Sequence, residues 1–160
     1  MVPELDELAG LRAARRRLDE RELELIDRAR HAGVTWAQLA GALGLSSRQA
    51  AEQRWQRLTA ARRARRRDLD LGWPARITAL RAAVERLHRW IDADRRWDDR
   101  FPRATLVRRT VASALDAEPG SLYTLASHVA DDLAEAGHER LPAPVRSAST
   151  DLRTTLSTSH

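Results

Sequence analysis

From Leu5 to Leu133 the apolar residues recur three or four positions apart, and no convincing strand pattern interrupts them. A chain patterned this way can hide its apolar side chains only by packing helices against one another. Alanine, leucine and arginine dominate while aromatics make up 4 % of the chain, a mixture that favours helix over strand. The expected fold is therefore all-α, with an amino-terminal helix-turn-helix domain followed by a small helical domain.

The punctuation sets the boundaries. A first helix is expected from about Pro3 to His31, with Leu5, Leu8, Leu11, Leu18, Leu25 and Ala29 along it. Pro3 suits the first turn, Glu4, Asp6 and Glu7 suit the positive end of the helix dipole, and Gly33 stops the helix. A short helix follows from Thr35 to about Leu43, and a longer one from Ser47 to about Arg66. The segment Asp68 to Pro74 breaks the pattern. Beyond it Ile77, Leu80, Val84, Leu87 and Ile91 form a narrow seam of the kind that pairs with another helix. Pro102 opens a helix carrying Leu106, Val107, Val111 and Leu115, and Pro119-Gly120 turns the chain. A last strong helix runs from Ser121 to about Ala136, with Leu122, Leu125, Val129 and Leu133 on one face and Gly137 as its stop. From Leu141 the chain is rich in Ser and Thr, and both a short helix at Val145–Leu156 and a frayed tail fit. The domains are accordingly drawn as 1–70 for the helix-turn-helix, 74–140 for a helical dimerisation or interaction domain, and 141–160 for a flexible or weakly helical tail.

Several function classes find no support. The chain has no cysteine, so neither disulfides nor thiolate metal sites can form. No apolar run approaches the roughly 20 residues that span a bilayer, and nothing resembles a signal peptide. A cytoplasmic protein of the bacterial nucleoid is expected, without membrane contact. The histidines His31, His88, His128, His138 and His160 include no pair at the i, i+4 spacing of a helical metal site and read as surface or helix-end residues. Ser113, Ser121 and Ser127 sit in no nucleophile motif. No enzyme and no cofactor is expected.

Residues 34–58 concentrate the signal. Thr35 and Gln38 have the spacing of a capping box, with Val34 and Leu39 as its hydrophobic staple. Leu39, Ala40 and Leu43 face inward, Ala40 being small where a second helix crosses, and Gly44 supplies a left-handed turn residue. Ser46 and Gln49 repeat the capping-box spacing, with Ser47 as the alternative cap. Ala51, Trp55 and Leu58 then make an inward face, and Trp36 and Trp55 are expected to pack the motif. Arg48, Gln49, Glu52, Gln53 and Gln56 remain outward. Arginine can donate two bonds to guanine and glutamine can pair with adenine in a major groove, so Arg48, Gln49, Glu52 and Gln53 are the candidate base-reading residues. Residues 48–67 hold eight arginines against one acid, Glu52. Thr35, Ser46, Ser47, Arg54, Arg57, Arg62, Arg63, Arg65 and Arg66 are the candidate phosphate contacts. All 28 basic residues are arginine, which GC-rich codons partly explain, so the clustering carries more weight than the net charge of +5.

The stretch from Ala29 to Trp36, and from Ala42 through Arg48-Gln49-Ala50-Ala51-Glu52-Gln53-Arg54-Trp55, resembles the helix-turn-helix of actinobacterial DNA-binding regulators. In that group Arg-Gln-Ala-Ala-x-Gln-Arg recurs in the recognition helix. The resemblance implies a transcription regulator and supports Arg48, Gln49 and Gln53 as DNA contacts. Ser46-Ser47 stand where many such motifs carry one serine. One added residue turns a helix by about 100°, so the facing of Arg48, Gln49 and Gln53 depends on which serine caps.

Together these features predict sequence-specific binding of double-stranded DNA by a transcription regulator acting as a homodimer, with a protein or small-molecule effector left open. Two other readings fit parts of the pattern: a sequence-tolerant architectural DNA-binding protein, and a helical protein-interaction module that does not bind DNA. Trp73, Trp90 and Trp97 are left open between packing, a partner face and an aromatic pocket.

Overall fold

The structure is a computed structural model and describes residues 2–158. Among these residues all regular structure is helical, in two compact units that meet between Ala64 and Arg65.

The first unit holds α1 (Pro3–His31), α2 (Trp36–Ala42) and most of α3 (Arg48–Asp70). Its core is small: Leu23 and Ile26 of α1, Leu39 and Ala40 of α2, and Ala51 and Leu58 of α3. Val34, Trp36, Leu43, Leu45 and Trp55 pack around them half-buried. Only the carboxy-terminal part of α1 takes part. Leu5, Leu8, Leu11, Leu18 and Leu25 are all exposed.

The second unit contains the end of α3 and four further helices: α4 (Ala75–Ala93), α5 (Ala104–Asp116), α6 (Pro119–Ala136) and α7 (Ala143–Ser157). They pack in the ring order α4, α5, α6, α7 and back to α4, and α4 and α6 also touch across it. The seam predicted as a dimerisation surface lies inside this bundle. Leu80, Val84, Leu87 and Ile91 are almost completely buried against Val107, Val111, Leu122, Val129 and Leu152 of the same chain. A seam of spacing three and four pairs equally well with a helix of its own unit, and here it does.

Of the two readings of the segment from Leu141, the helix forms and the flexible tail does not. The segment forms the ordered helix α7, whose Val145, Ala148, Leu152 and Leu156 complete the core. The expected boundary at 68–74 also shifts. Residues 48–70 contain no glycine or proline, so α3 runs on to Asp70, the chain breaks only at 71–74, and the helix from Arg65 onward belongs to the second unit.

Arg81 explains why. It is buried on α4 and pairs through Nε with the buried Asp70 carboxylate, with a second bond from Nη2 of 3.2 Å. Its remaining protons go to the carbonyl oxygens of Ala114 (2.9 Å), Leu115 (3.0 Å) and Ala117 (2.7 Å), which lie at the carboxy-terminal end of α5. A guanidinium suits that negative end of the helix dipole, and the bidentate carboxylate satisfies its remaining donors. Trp97 is fully buried, donating its indole N–H to Ala104 O at 2.7 Å and meeting Phe101 edge-on. Trp73 and Trp90 are about half exposed, and Trp73 lines an open cavity of about 330 Å³ with Ile77, Pro119 and Tyr123.

Removing one member of a buried ion pair strands the other without water. Asp70→Ala is therefore expected to cost the second unit about 3–5 kcal/mol in urea unfolding. A loss below about 1 kcal/mol would mean that Arg81 finds equivalent partners without Asp70.

Candidate nucleic-acid interface

Two tight turns shape the first unit, and both follow one rule. After α1, Gly33 takes φ +87°, Gly33 N–H bonds Arg30 O at 3.1 Å and Val34 N–H bonds Ala29 O at 3.0 Å. After α2, Gly44 takes φ +66°, Gly44 N–H bonds Gly41 O at 3.2 Å and Leu45 N–H bonds Ala40 O at 2.9 Å. This is the Schellman arrangement, in which a left-handed glycine lets the chain fold back over the helix end and brings the next apolar residue inward. Val34 and Leu45 are those apolar residues.

The amino-terminal caps are equally defined. Thr35 and Gln38 form the expected capping box: Thr35 Oγ1 accepts from Gln38 N–H at 3.2 Å, and Thr35 N–H donates to Gln38 Oε1 at 2.9 Å. Of the two serines, Ser47 caps α3, its Oγ accepting from Ala50 N–H at 3.1 Å. Ser46 stays exposed in the turn, and the expected Ser46–Gln49 capping box does not form.

The rotation of α3 follows from its buried residues. Ala51 is completely buried and Leu58 nearly so. Trp55 packs 5.8 Å from Trp36, ring centroid to centroid, and its indole N–H donates to Asp27 Oδ1 at 2.8 Å. Arg30 lies 4.7 Å over the Trp36 ring and donates to Val34 O at 2.7 Å. At about 100° per residue, the opposite side of α3 carries Gln49, Gln53, Gln56 and Arg57. All four are exposed, as is Arg48 at the start of the helix. Glu52 lies at the edge of this strip and is half-buried. The outward strip thus holds two of the four candidate base-reading residues, Gln49 and Gln53, with Gln56 extending it, while Arg48 is exposed at the first turn about 100° round the helix from Gln49.

The candidate phosphate contacts divide. Arg57 is exposed. Ser46 and Ser47 are exposed, and Ser47 keeps its hydroxyl proton while Oγ caps the helix. Thr35 is occupied on both sides, its hydroxyl also donating to Gln38 Oε1 at 3.0 Å. Arg54 is a correction. Its Nε and Nη2 donate to Glu22 at 2.9 Å each, and Nη2 also reaches Asp19 at 3.1 Å. It faces α1, about 100° round the helix from Gln53, and fastens α3 to α1 instead of facing solvent. Arg62 is half-buried with Asp27 Oδ2 at 3.7 Å, and Arg63 is half-buried beside it in sequence. Arg65 and Arg66 belong to the second unit and are half-buried there.

Sequence reasoning missed Asp19, Glu22 and Asp27, which position α3 through Arg54 and Trp55. Their signal was present: all three carboxylates flank Leu23 and Ile26, the two residues by which α1 enters the core. Among the described residues no group of His, Asp or Glu is arranged to hold a metal ion, and no helix is long and apolar enough to cross a membrane. His31 bonds Asp27 O at 2.6 Å at the end of α1, His88 is half-buried, and His128 and His138 are exposed. His160 lies outside the described residues. Comparison of the chain with protein families, with curated proteins and with solved structures found no match.

The hydrogen bond from Arg54 holds the Glu22 carboxyl below its ordinary value of 4.5, against a smaller opposing effect of burial. A depressed folded value means that this contribution is present above the ordinary range and is lost as pH falls through the lowered one. Thermal melts should therefore show wild type more stable than Glu22→Gln near neutrality, with the gap closing as pH drops below about 4.5. A gap of constant size across that range would rule out the ionised pair as its source.

Proposed function

We propose that the chain is a sequence-specific binder of double-stranded DNA, and that the strip Gln49, Gln53 and Gln56, with Arg48 exposed at the start of the same helix, is its reading face. The observation that supports this most is the coincidence of a short helix and a longer one, joined by the Gly44 turn, with an outward face made of amides and a guanidinium. Asparagine-like amides and arginine are the side chains that recognise adenine and guanine edges through paired hydrogen bonds. Solvent-exposed groups of this kind on the first turns of the second helix match the way such helices enter a major groove. Ser46 and Ser47 at the amino end and Arg57 on the same side of α3 supply neutralising or donating contacts for the flanking phosphates. Nothing in the motif requires a cofactor.

In this reading the first unit reads DNA and the protein acts as a transcription regulator, pairing two copies over half-sites about 34 Å apart. A lone helix of this size contacts few base pairs, and two-fold repetition is the common way to lengthen the site. Arg54 serves by holding α3 in place and makes no phosphate contact.

The test is selection from a random duplex library with the purified chain, followed by titration of the recovered site. One enriched motif is expected. Arg48→Ala with Gln49→Ala should weaken that site by about 1–3 kcal/mol while leaving random duplex nearly unchanged. Arg57→Ala should weaken both alike and lower the salt slope by about one. Equal loss on specific and random duplex in the first variant would remove the base-reading role, and recovery of no motif with tight salt-sensitive binding would favour a sequence-tolerant coating protein.

A further inference from the structure

Helix α1 is much longer than the core it serves. Leu23 and Ile26 anchor its last turns, whereas Leu5, Leu8 and Leu11 are each more than half exposed in its first half. Three leucines on successive turns of a helix, open to water, are an unusual load for an isolated surface.

The charges around them are sorted in blocks. Glu4, Asp6 and Glu7 precede the leucine pair Leu8 and Leu11, and Arg12, Arg15, Arg16 and Arg17 follow it. We infer that the first half of α1 pairs antiparallel with the same segment of a second copy of this chain, Leu8 of each copy against Leu11 of the other. In that register the residue numbers facing each other add to 19. Glu4 then faces Arg15 and Glu7 lies level with Arg12, so the acidic segment 4–7 runs alongside the partner's basic segment 12–15. Both leucines become covered twice over by the two-fold axis, as a self-complementary interface requires.

Parallel pairing is excluded by the same residues. It would use Leu11, Leu18 and Leu25, which are seven apart, but would set Arg15 against Arg15 and Glu22 against Glu22 in the positions between them. Glu22 is in addition held by Arg54 of its own chain. Like charges at these positions repel, whereas the antiparallel register sets the acidic end of each helix alongside the basic segment of the other. This assignment replaces the buried α4 seam as the pairing surface and is independent of whether the chain reads DNA.

Sedimentation of the full chain at tens of micromolar tests it, because association depends on protomer concentration. Wild type should sediment at twice the 18.0 kDa chain mass. Leu8→Glu with Leu11→Glu should run as a monomer with unchanged circular dichroism, since neither side chain enters the core. A chain with Glu4→Arg, Asp6→Arg and Glu7→Arg should be monomeric alone. So should one with Arg12→Glu, Arg15→Glu and Arg16→Glu, and the two mixed should form the dimer. The inference is overturned by a monomeric wild type, by a leucine variant that still dimerises, or by block variants that dimerise alone as well as wild type does.

Discussion

The rotational setting of α3 about its own axis decides what the first unit offers to solvent, and Trp55 fixes it. The indole packs against Trp36 on one side and donates to Asp27 on the other, so neither a slip along the axis nor a turn about it is free. Ala51 lets α3 approach the α2 core closely, and a larger side chain there would force the helices apart. Arg54, one residue before the tryptophan, adds a forked bond to Glu22 and a contact to Asp19. Three tethers on one side of a helix leave the other side open, and that open side carries the amides.

Much of this was legible in the sequence because it is local. Gly44 needed only its neighbours to be read as a left-handed turn residue, and Thr35 and Gln38 needed only their spacing to be read as a capping box. The inward face Ala51, Trp55 and Leu58 follows from helical periodicity alone. Arg54 was not legible for the opposite reason. Its partners lie 32 and 35 positions away on α1, and an arginine beside Gln53 on a basic helix looks like its neighbours until a carboxylate is found facing it. The doubled serine was also undecided, since either hydroxyl could cap and only the bond from Ala50 N–H to Ser47 distinguishes them.

The second unit teaches a related lesson. Helix α7 is rich in Ser and Thr, residues that read as turn or tail formers because they compete for backbone bonds. Here Thr150, Thr154, Thr155 and Ser157 return their hydroxyls to carbonyls four residues back within the helix, while Val145, Ala148, Leu152 and Leu156 fill the core. Tertiary burial outweighs weak propensity. The α4 seam shows the converse: its spacing marks a packing edge, but spacing carries no information about whether the partner is the same chain or another. Arg81, buried and fully bonded, could not be separated from the other arginines of the sequence before Asp70 and the end of α5 were seen around it.

The most direct measurement uses the absence of cysteine. A single Gln53→Cys chain carrying a photoreactive group, bound to its selected duplex, should crosslink to bases within the recognised site, while Glu24→Cys on α1 should give little crosslinking to bases. Equal crosslinking from both positions, or base crosslinks from position 24 and none from position 53, would contradict the proposal that the open side of α3 enters the major groove.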